Sequence, residues 1–440
     1  MRENKEKLAI LGGEPVRKKP FPPYPVIGEE EIAAVNDVMK RGHLSSFAAS
    51  TGPEFLGGRK IREFEEKFAE YHGVDYAIAV NSATAGLHIS LAAAGVGPGD
   101  EVIVPPYTFT STATSVLMHN AIPVFVDVDP KTYCLDPAKL EDAITPFTKA
   151  IIPVHLLGHP AEMDSIMRIA NEHGLTVVED CAQSPGAKYK NKLVGTIGDL
   201  GVFSFQETKN IMTGEGGMVI TNDPLLAERC RMVRNHGEAV IKGKSRSYVS
   251  NIIGWNYRMT EIEAAIGIEQ LKKLDKFNEI RIRNSKFLSK ELSKVEGIDT
   301  PFEAPDIFHV YHIYGMRYNE EKMGIPRQIF ADALNAEGIP CGTGYPHPLY
   351  ENPLFKERLA YGDKGCPFTC KFYKGKVSYE SGICPVAEDL CYKRAFWLFN
   401  IRPPATLEDM QDIVDAFVKI VENIEQLQGL NEKQSRRRIV

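Results

Sequence analysis

Three short segments carry residue types whose chemistry can be named. The first, Asn81-Ser82-Ala83-Thr84-Ala85-Gly86-Leu87, is a polar turn between an apolar run and a helix-like stretch. It offers backbone amides and hydroxyls at the positive end of a helix, which is a cradle for an anion. The second, Val177-Val178-Glu179-Asp180-Cys181-Ala182-Gln183, ends an apolar strand in two adjacent carboxylates. Successive strand residues face opposite ways, so one of Glu179 and Asp180 points into a given site, where it could hold a cationic ring nitrogen. The third runs Phe203-Ser204-Phe205-Gln206-Glu207-Thr208-Lys209 and continues to Gly214-Glu215-Gly216-Gly217. A lysine in a glycine-flanked turn beyond a strand is placed for its amine to reach a carbonyl carbon and form a Schiff base. Each segment alone also has a plain structural reading: a helix cap, a strand-terminal acid capping a turn, a solvated lysine. Their succession along the chain gives them a joint meaning. Pyridoxal phosphate needs a phosphate site, a carboxylate for its ring nitrogen and a lysine for its aldehyde.

These segments can converge only if strands end side by side. From Val74 to Asn222 short apolar runs alternate with longer helix-like stretches, the rhythm of crossover units on a mostly parallel sheet. Seven runs are strand candidates: Tyr76–Val80, Glu101–Val104, Pro123–Val126, Ala150–Val154, Leu175–Val178, Val202–Phe205 and Met218–Thr221. Helices are predicted over Ala83–Ala94, opening after Asn81-Ser82, and over Met163–His173, before a Gly174 stop. From Thr260 to about Val295 the apolar positions Ile262, Ala265, Ile266, Ile268, Leu271, Leu274 and Phe277 keep helical spacing. They predict one long amphipathic helix that bridges to a second lobe. The expected organisation is an N-terminal arm over 1–60, a large α/β domain over 61–275 and a smaller α+β domain over 276–440. The last should contain a strand at His312–Arg317 and a closing helix from Leu407 to about Leu427. Glu351–Gly382 is rich in Lys, Gly, Cys and aromatic residues without a clear period and reads as a loop or insertion, and the basic Ser435–Arg438 as a solvated end.

The 440 residues, 43% hydrophobic and 25% charged, exceed what one core usually holds and exclude disorder as the dominant state. Lys and Arg total 52 against 58 Asp and Glu, a net charge of -6, so no nucleic-acid partner is expected. Apolar runs such as Ala395–Phe399 fall far short of the roughly 18 residues of a bilayer span, so no membrane partner is expected either. Met1–Lys7 has a charged opening without a following apolar stretch; no secretory signal is visible, and the cytoplasm is the expected setting. Eight cysteines are too sparse for a disulfide framework and are expected to be reduced. Cys366, Cys370, Cys384 and Cys391 lack the tight double-pair spacing of a zinc ribbon, and no metal site is expected.

From Asn81 to Gly217 the residues resemble the DegT/StrS-type sugar aminotransferases, a branch of the fold-type I pyridoxal phosphate enzymes. The resemblance rests on Ser82-Ala83-Thr84-Ala85-Gly86-Leu87-His88, Asp100-Glu101-Val102-Ile103-Val104-Pro105, Pro153-Val154-His155-Leu156-Leu157-Gly158, Glu179-Asp180-Cys181-Ala182-Gln183-Ser184, the Ser204–Gly217 block and Gly254-Trp255-Asn256-Tyr257-Arg258-Met259-Thr260-Glu261. It extends over about 30 to 425 and is weakest from Glu351 to Gly382. It implies an α/β fold of fold type I, a seven-stranded mostly parallel sheet with flanking helices plus a smaller α+β C-terminal domain. Pyridoxal 5'-phosphate is the implied cofactor. Lys209 would bind its aldehyde and, once displaced by an amino donor, shuttle a proton. Asp180 would pair with the pyridine nitrogen and Gln183 with the phenolate oxygen. Phe109 would stack on the ring, with Tyr107 as the competing aromatic. Ser82, Ala83, Thr84 and Ser204 would bind the phosphate. Asn256 would reach the phosphate from the partner subunit, which implies a homodimer with shared active sites.

Relatives that carry histidine in place of the lysine dehydrate a keto-sugar, and the presence of Lys209 disfavours that outcome. Pro348-Leu349-Tyr350 stands where the family has Pro-Leu-His, and the segment after it is enlarged. The opening Leu8–Arg17 and the Glu179–Ser184 run look closest to the subgroup that aminates keto-cyclitols or makes aminohydroxybenzoate. The implied reaction moves an amino group from glutamate or glutamine to a keto-sugar or keto-cyclitol, nucleotide-linked or free. Amino-sugar, antibiotic or cell-surface polysaccharide biosynthesis would be its setting. The alternatives are an aminohydroxybenzoate synthase or dehydratase, and a regulatory sensor without turnover. His155, His312, Tyr345 and His347 are candidate substrate contacts, each equally open to a structural role.

Overall fold

All seven apolar runs become strands of one sheet: β1 (Tyr76–Val80), β2 (Glu101–Val104), β3 (Ile122–Phe125), β4 (Thr148–Ile151), β5 (Thr176–Asp180), β6 (Leu200–Ser204) and β7 (Gly217–Thr221). This computed structural model describes residues 6–48, 53–238 and 250–430, so the Ser435–Arg438 tail and the start at Met1–Lys5 lie outside the described residues. The spatial order is β1-β7-β6-β5-β4-β2-β3. Pairings from β6 across to β3 are parallel, whereas β7 lies antiparallel to both β1 and β6. Helices cover both faces of a parallel sheet, so its strands read as unbroken apolar runs. In β6 and β7 every residue is buried.

The Ala83–Ala93 helix packs directly on this sheet. Ser82 caps it, its Oγ accepting from the Ala85 amide at 3.1 Å. A Cβ added at Gly86 would stand 2.7 Å from Val202 Cγ1, so the helix approaches β6 as closely as it does because that position has no side chain. Met163–His173 is helical as expected and stops at Gly174, which takes the left-handed conformation at φ 63°.

The single long helix expected from Thr260 to Val295 is instead two, Glu261–Leu271 and Leu274–Leu292. At the break the Lys273 amide bonds to the Gln270 carbonyl, a tightened turn. Both side chains there reach the N-terminal helix Glu29–Arg41. Gln270 Nε2 donates to Glu31 Oε1 at 2.7 Å, and Lys273 Nζ pairs with the same carboxylate at 2.7 Å. Hydrophobic spacing continues through the break, and for that reason periodicity alone does not reveal it.

The second lobe carries a four-stranded antiparallel sheet of β8 (Ile298–Asp299), β9 (Tyr314–Tyr318), β10 (Cys341–Gly342) and β11 (Ala395–Leu398), in the order β8-β9-β11-β10. The strand expected from His312 begins at Tyr314, and the closing helix runs Leu407–Glu422 before a 3-10 turn at Ile424–Leu427. The lobe's core includes Leu288, Met316, Phe330, Phe396 and Phe417, together with Leu8 and Ile10 from the start of the chain. Arg17 fastens that start by ion pairs to Asp409 (2.8 Å) and Asp412 (2.5 Å).

Glu351–Gly382 has little regular structure, yet it is packed. Phe355, Phe368, Tyr373 and Tyr379 enter the core of the large sheet. Tyr373 donates its hydroxyl to Glu101 at 2.6 Å and Tyr379 to the Pro123 carbonyl at 2.9 Å, fixing the segment along the β2–β3 edge.

Candidate active site

The parallel strands deliver their C-terminal ends to a cavity of about 480 Å³, where ligands of open α/β sheets bind. Its lining includes Ser82, Ala83 and Thr84, Asp180 and Gln183, and Ser204, Lys209 and Phe109. Three sequence segments far apart in the chain therefore meet in one place.

At the cradle end, the first-turn amides of Ala83 and Thr84 have no acceptor within their own helix and face outward. Ser204, at the end of β6, is buried beside them. Gly217 opens β7 against the same turn: a Cβ there would sit 2.6 Å from the Ser82 carbonyl carbon. The close approach of β7 to the cradle requires a glycine.

Asp180 and Glu179 part company at the end of β5, as alternation demands. Asp180 faces the cavity, buried, accepting from Thr112 Oγ1 at 2.9 Å and the Ala182 amide at 3.1 Å. Burial pushes its carboxyl above the usual range, while these hydrogen bonds and the Lys209 ammonium pull it back. A carboxylate so placed gains from a cation in the cavity. Glu179 turns to the other face, where it accepts from the amides of Gly195 (2.8 Å), Ile197 (2.8 Å) and Gly198 (2.6 Å) and from His155 Nε2 (2.9 Å). His155 Nδ1 accepts from the Ala161 amide at 2.9 Å, so the ring proton sits on Nε2 and is donated to Glu179. With Cys181 these two are the one grouping among the described residues that has metal-binding spacing. Both imidazole nitrogens and both carboxylate oxygens are already engaged, which suits a structural network and not a cation.

Lys209 follows β6 in a turn held by its own amide bonding to the Gln206 carbonyl at 2.8 Å. Its carbonyl accepts from the Tyr24 hydroxyl. Burial brings the ammonium down from the ordinary lysine range to about 8, with Asp180 opposing the shift. The neutral amine, the nucleophilic form, is therefore accessible near neutral pH. Asn210, the next residue, is fully buried and ties this turn to the second lobe through Asn278 (2.9 Å) and His312 (3.1 Å).

Gln183 accepts from the Leu157 amide at 2.8 Å and donates to the Tyr345 hydroxyl at 3.4 Å. Phe109 lines the cavity with 60% of its surface exposed, whereas Tyr107 is fully buried behind it among Tyr133, Tyr345 and Trp397. Geometry thus favours Phe109 for a ring contact. Asn256 is exposed and does not line this cavity; its Oδ1 accepts from Arg258 at 2.9 Å. Of the four candidate substrate contacts, Tyr345 lines the cavity, while His155 and His312 are buried in hydrogen bonds and His347 bonds to Asn352. Thr112 and Tyr24 carry no local signal in the sequence, since the residues they hold are 68 and 185 positions away.

Residues 25–383 match a family described as the DegT/DnrJ/EryC1/StrS aminotransferase family. The chain belongs to that family. The GDP-perosamine synthase of Caulobacter vibrioides is 44% identical, over 68% of this chain and 79% of its own. The L-glutamine:2-deoxy-scyllo-inosose aminotransferase of Streptoalloteichus tenebrarius is 34% identical, over 94% and 97%. Among solved structures, S. venezuelae DesV in complex with a ketimine intermediate superposes with a TM-score of 0.76 at 32% identity, covering 92% of this chain and 95% of DesV. The protein is an aminotransferase of the DegT/DnrJ/EryC1/StrS family with the fold-type I architecture, and that family works with pyridoxal phosphate.

Proposed function

We propose that this DegT/DnrJ/EryC1/StrS aminotransferase moves an amino group from glutamine or glutamate to a keto-sugar or keto-cyclitol, with pyridoxal phosphate held in the cavity at the ends of β5 and β6. The carrying observation is that one cavity places Asp180, pushed up by burial, and Lys209, brought down to about 8, together with a helix-end cradle. This donor set fits the cofactor: amides and hydroxyls of Ser82, Ala83, Thr84 and Ser204 for its phosphate, Asp180 for its ring nitrogen, Gln183 for its phenolate oxygen and Phe109 for its ring face. Bound pyridoxal phosphate supplies an electron sink for the pair of electrons left when the donor's α-carbon loses its proton.

Around that group the chain's own residues do the rest. Lys209 would hold the cofactor through Nζ, and the same amine, when free, would accept and return the donor's α-proton. Asp180 would hold the ring nitrogen in its protonated form from a buried wall, where screening by water is weak. Asn256, exposed and outside its own cavity, suits a homodimer in which it reaches the phosphate bound by the other copy. The curated cyclitol relative supports L-glutamine as donor by its name. No helix among the described residues is long and apolar enough to cross a membrane, and a cytoplasmic setting accords with that. Purified protein supplied with pyridoxal phosphate should turn yellow, and L-glutamine or L-glutamate should bleach the band in a single turnover; Lys209→Ala should show neither effect. Protein that stays colourless and takes up no pyridoxal phosphate would overturn the proposal.

A further inference from the structure

The two acids at the end of β5 are held very unequally. Glu179 accepts from three amides and from the His155 imidazole, which fills its carboxylate. Asp180 is also buried, yet among the described residues its carboxyl has two hydrogen bonds: the Ala182 amide on Oδ1 at 3.1 Å and the Thr112 hydroxyl on Oδ2 at 2.9 Å. An ionised carboxylate offers about four acceptor positions, so roughly two stay open toward the cavity. The Ala182 amide lies two residues along the chain and belongs to the turn itself. Thr112 is the one side chain that bonds this carboxyl, and it comes from the Ser111–Leu117 helix, 68 positions earlier.

Thr112 is fully buried and is not part of the cavity lining, so it acts on the site through Asp180. Thr108, buried in that lining, stands behind it with Oγ1 3.2 Å from Thr112 Oγ1. A hydroxyl has one proton to give. Thr112 gives its own to Asp180, which as a carboxylate can only accept, so Thr108 is the donor in the second contact. The direction runs from Thr108 to Thr112 to Asp180, and a hydroxyl that accepts a hydrogen bond becomes the stronger donor. The same turn carries Phe109, whose carbonyl accepts from the Thr112 amide at 3.2 Å, and Ser115 Oγ donates to the Thr112 carbonyl at 3.1 Å. Residues 108–112 thus present an aromatic ring to the cavity and steady the acid at the end of β5.

Burial works against an ionised Asp180, and the groups that oppose it are the Ala182 amide, Thr112, Lys209 and His155. Cys181 and Tyr345, which also face it, are held neutral by burial. Lys209 loses its charge above about 8, whereas a hydroxyl and an amide do not titrate. We propose that Thr112, with Thr108 behind it, is the positioning pair for Asp180, holding its carboxyl so that the open oxygen positions meet the cofactor's ring nitrogen. The inference rests on the pyridoxal phosphate reading above and names what orients the acid in it.

The test compares wild type with Thr112→Val, Thr112→Ser, Thr108→Val and the double valine variant. Each apoprotein is titrated with pyridoxal phosphate and with the analogue in which carbon replaces the ring nitrogen, and each holoenzyme is followed as L-glutamine bleaches it in single turnovers. Valine keeps the shape of threonine and removes its hydroxyl. In Thr112→Val the dissociation constant of pyridoxal phosphate should rise about ten- to a hundredfold, as for loss of a hydrogen bond to a charged group, with no comparable rise for the analogue. The limiting bleaching rate should fall while the half-saturating L-glutamine concentration is unchanged. Thr112→Ser should restore most of both. Thr108→Val should act in the same direction about two- to fivefold, and should add nothing once Thr112 is valine.

Equal losses for the two compounds in Thr112→Val overturn the proposal, because they make the hydroxyl a matter of cavity shape. Wild-type affinity and rate in Thr112→Val overturn it too, as do additive losses in the double variant. If Thr112→Val does not fold, Thr108→Val decides: a loss selective for pyridoxal phosphate supports the pair, and equal losses or none overturn it. Wild-type protein that takes up neither compound fails the pyridoxal phosphate reading itself, before any substitution is made.

Discussion

The amine of Lys209 and the carboxyl of Asp180 are tuned toward one another by the same burial, in opposite directions. For the lysine the sign is direct: the group is protonated and unreactive below about 8 and nucleophilic above it. Protein stripped of cofactor should therefore capture pyridoxal phosphate faster as pH rises through about 8, measured as the rate of appearance of the visible band; a rate flat through that range would contradict the buried setting. Much of this site was legible in the sequence, because the reactive groups must sit at strand ends and each strand end carries its own polar signature. Alternation showed that one of Glu179 and Asp180 faces the cavity, but not which. Identifying Asp180 from geometry needs the neighbours on the opposite face, His155 and the turn at Gly195–Gly198, which hold Glu179 away. Thr112 and Tyr24 were invisible for a related reason: their role depends on which distant residue the fold brings to them.

At the scale of elements, what the sequence declared was what burial on two faces enforces. Each of the seven sheet strands contains an apolar run and was placed to within a few residues, whereas β8 and β10 are two residues each and leave no pattern to read. The break at Lys272-Lys273 was hidden because the apolar stripe runs through it. Glu351–Gly382 looked like a plain loop because its packing rings, such as Phe355 and Tyr379, follow no period in the sequence yet cluster together against Phe125. Gly86 is a point of close contact between helix and sheet. Gly86→Val should lower stability by about 1–3 kcal/mol, read from the denaturation midpoint, because its added carbons have Val202 in their way. It should also loosen the cradle that the same helix presents.

For the whole molecule, the proposal that Asn256 serves a second copy has a direct consequence. Lys209→Ala and Asn256→Ala proteins, each impaired alone, should regain activity when unfolded together and refolded, because a mixed dimer contains one site with neither change. Random pairing sets the return at about a quarter of wild type; no return after confirmed exchange of subunits argues against sharing. The arm and both lobes are also joined around the lysine turn, since Tyr24 meets Lys209 and Asn210 meets the second lobe. Finally, the position of β7 sets a timetable for biosynthesis. It is the last strand of its sheet to leave the ribosome, yet it lies between β1 and β6, pairing Tyr76 with Thr221. Until that hairpin-like closure, β1 has no neighbour on the β7 side and the cradle at Ser82 lacks Gly217 against it. A nascent chain can thus complete its first six strands without being able to hold the cofactor's phosphate, and commitment to the holoenzyme is deferred until the middle of the protein has been translated.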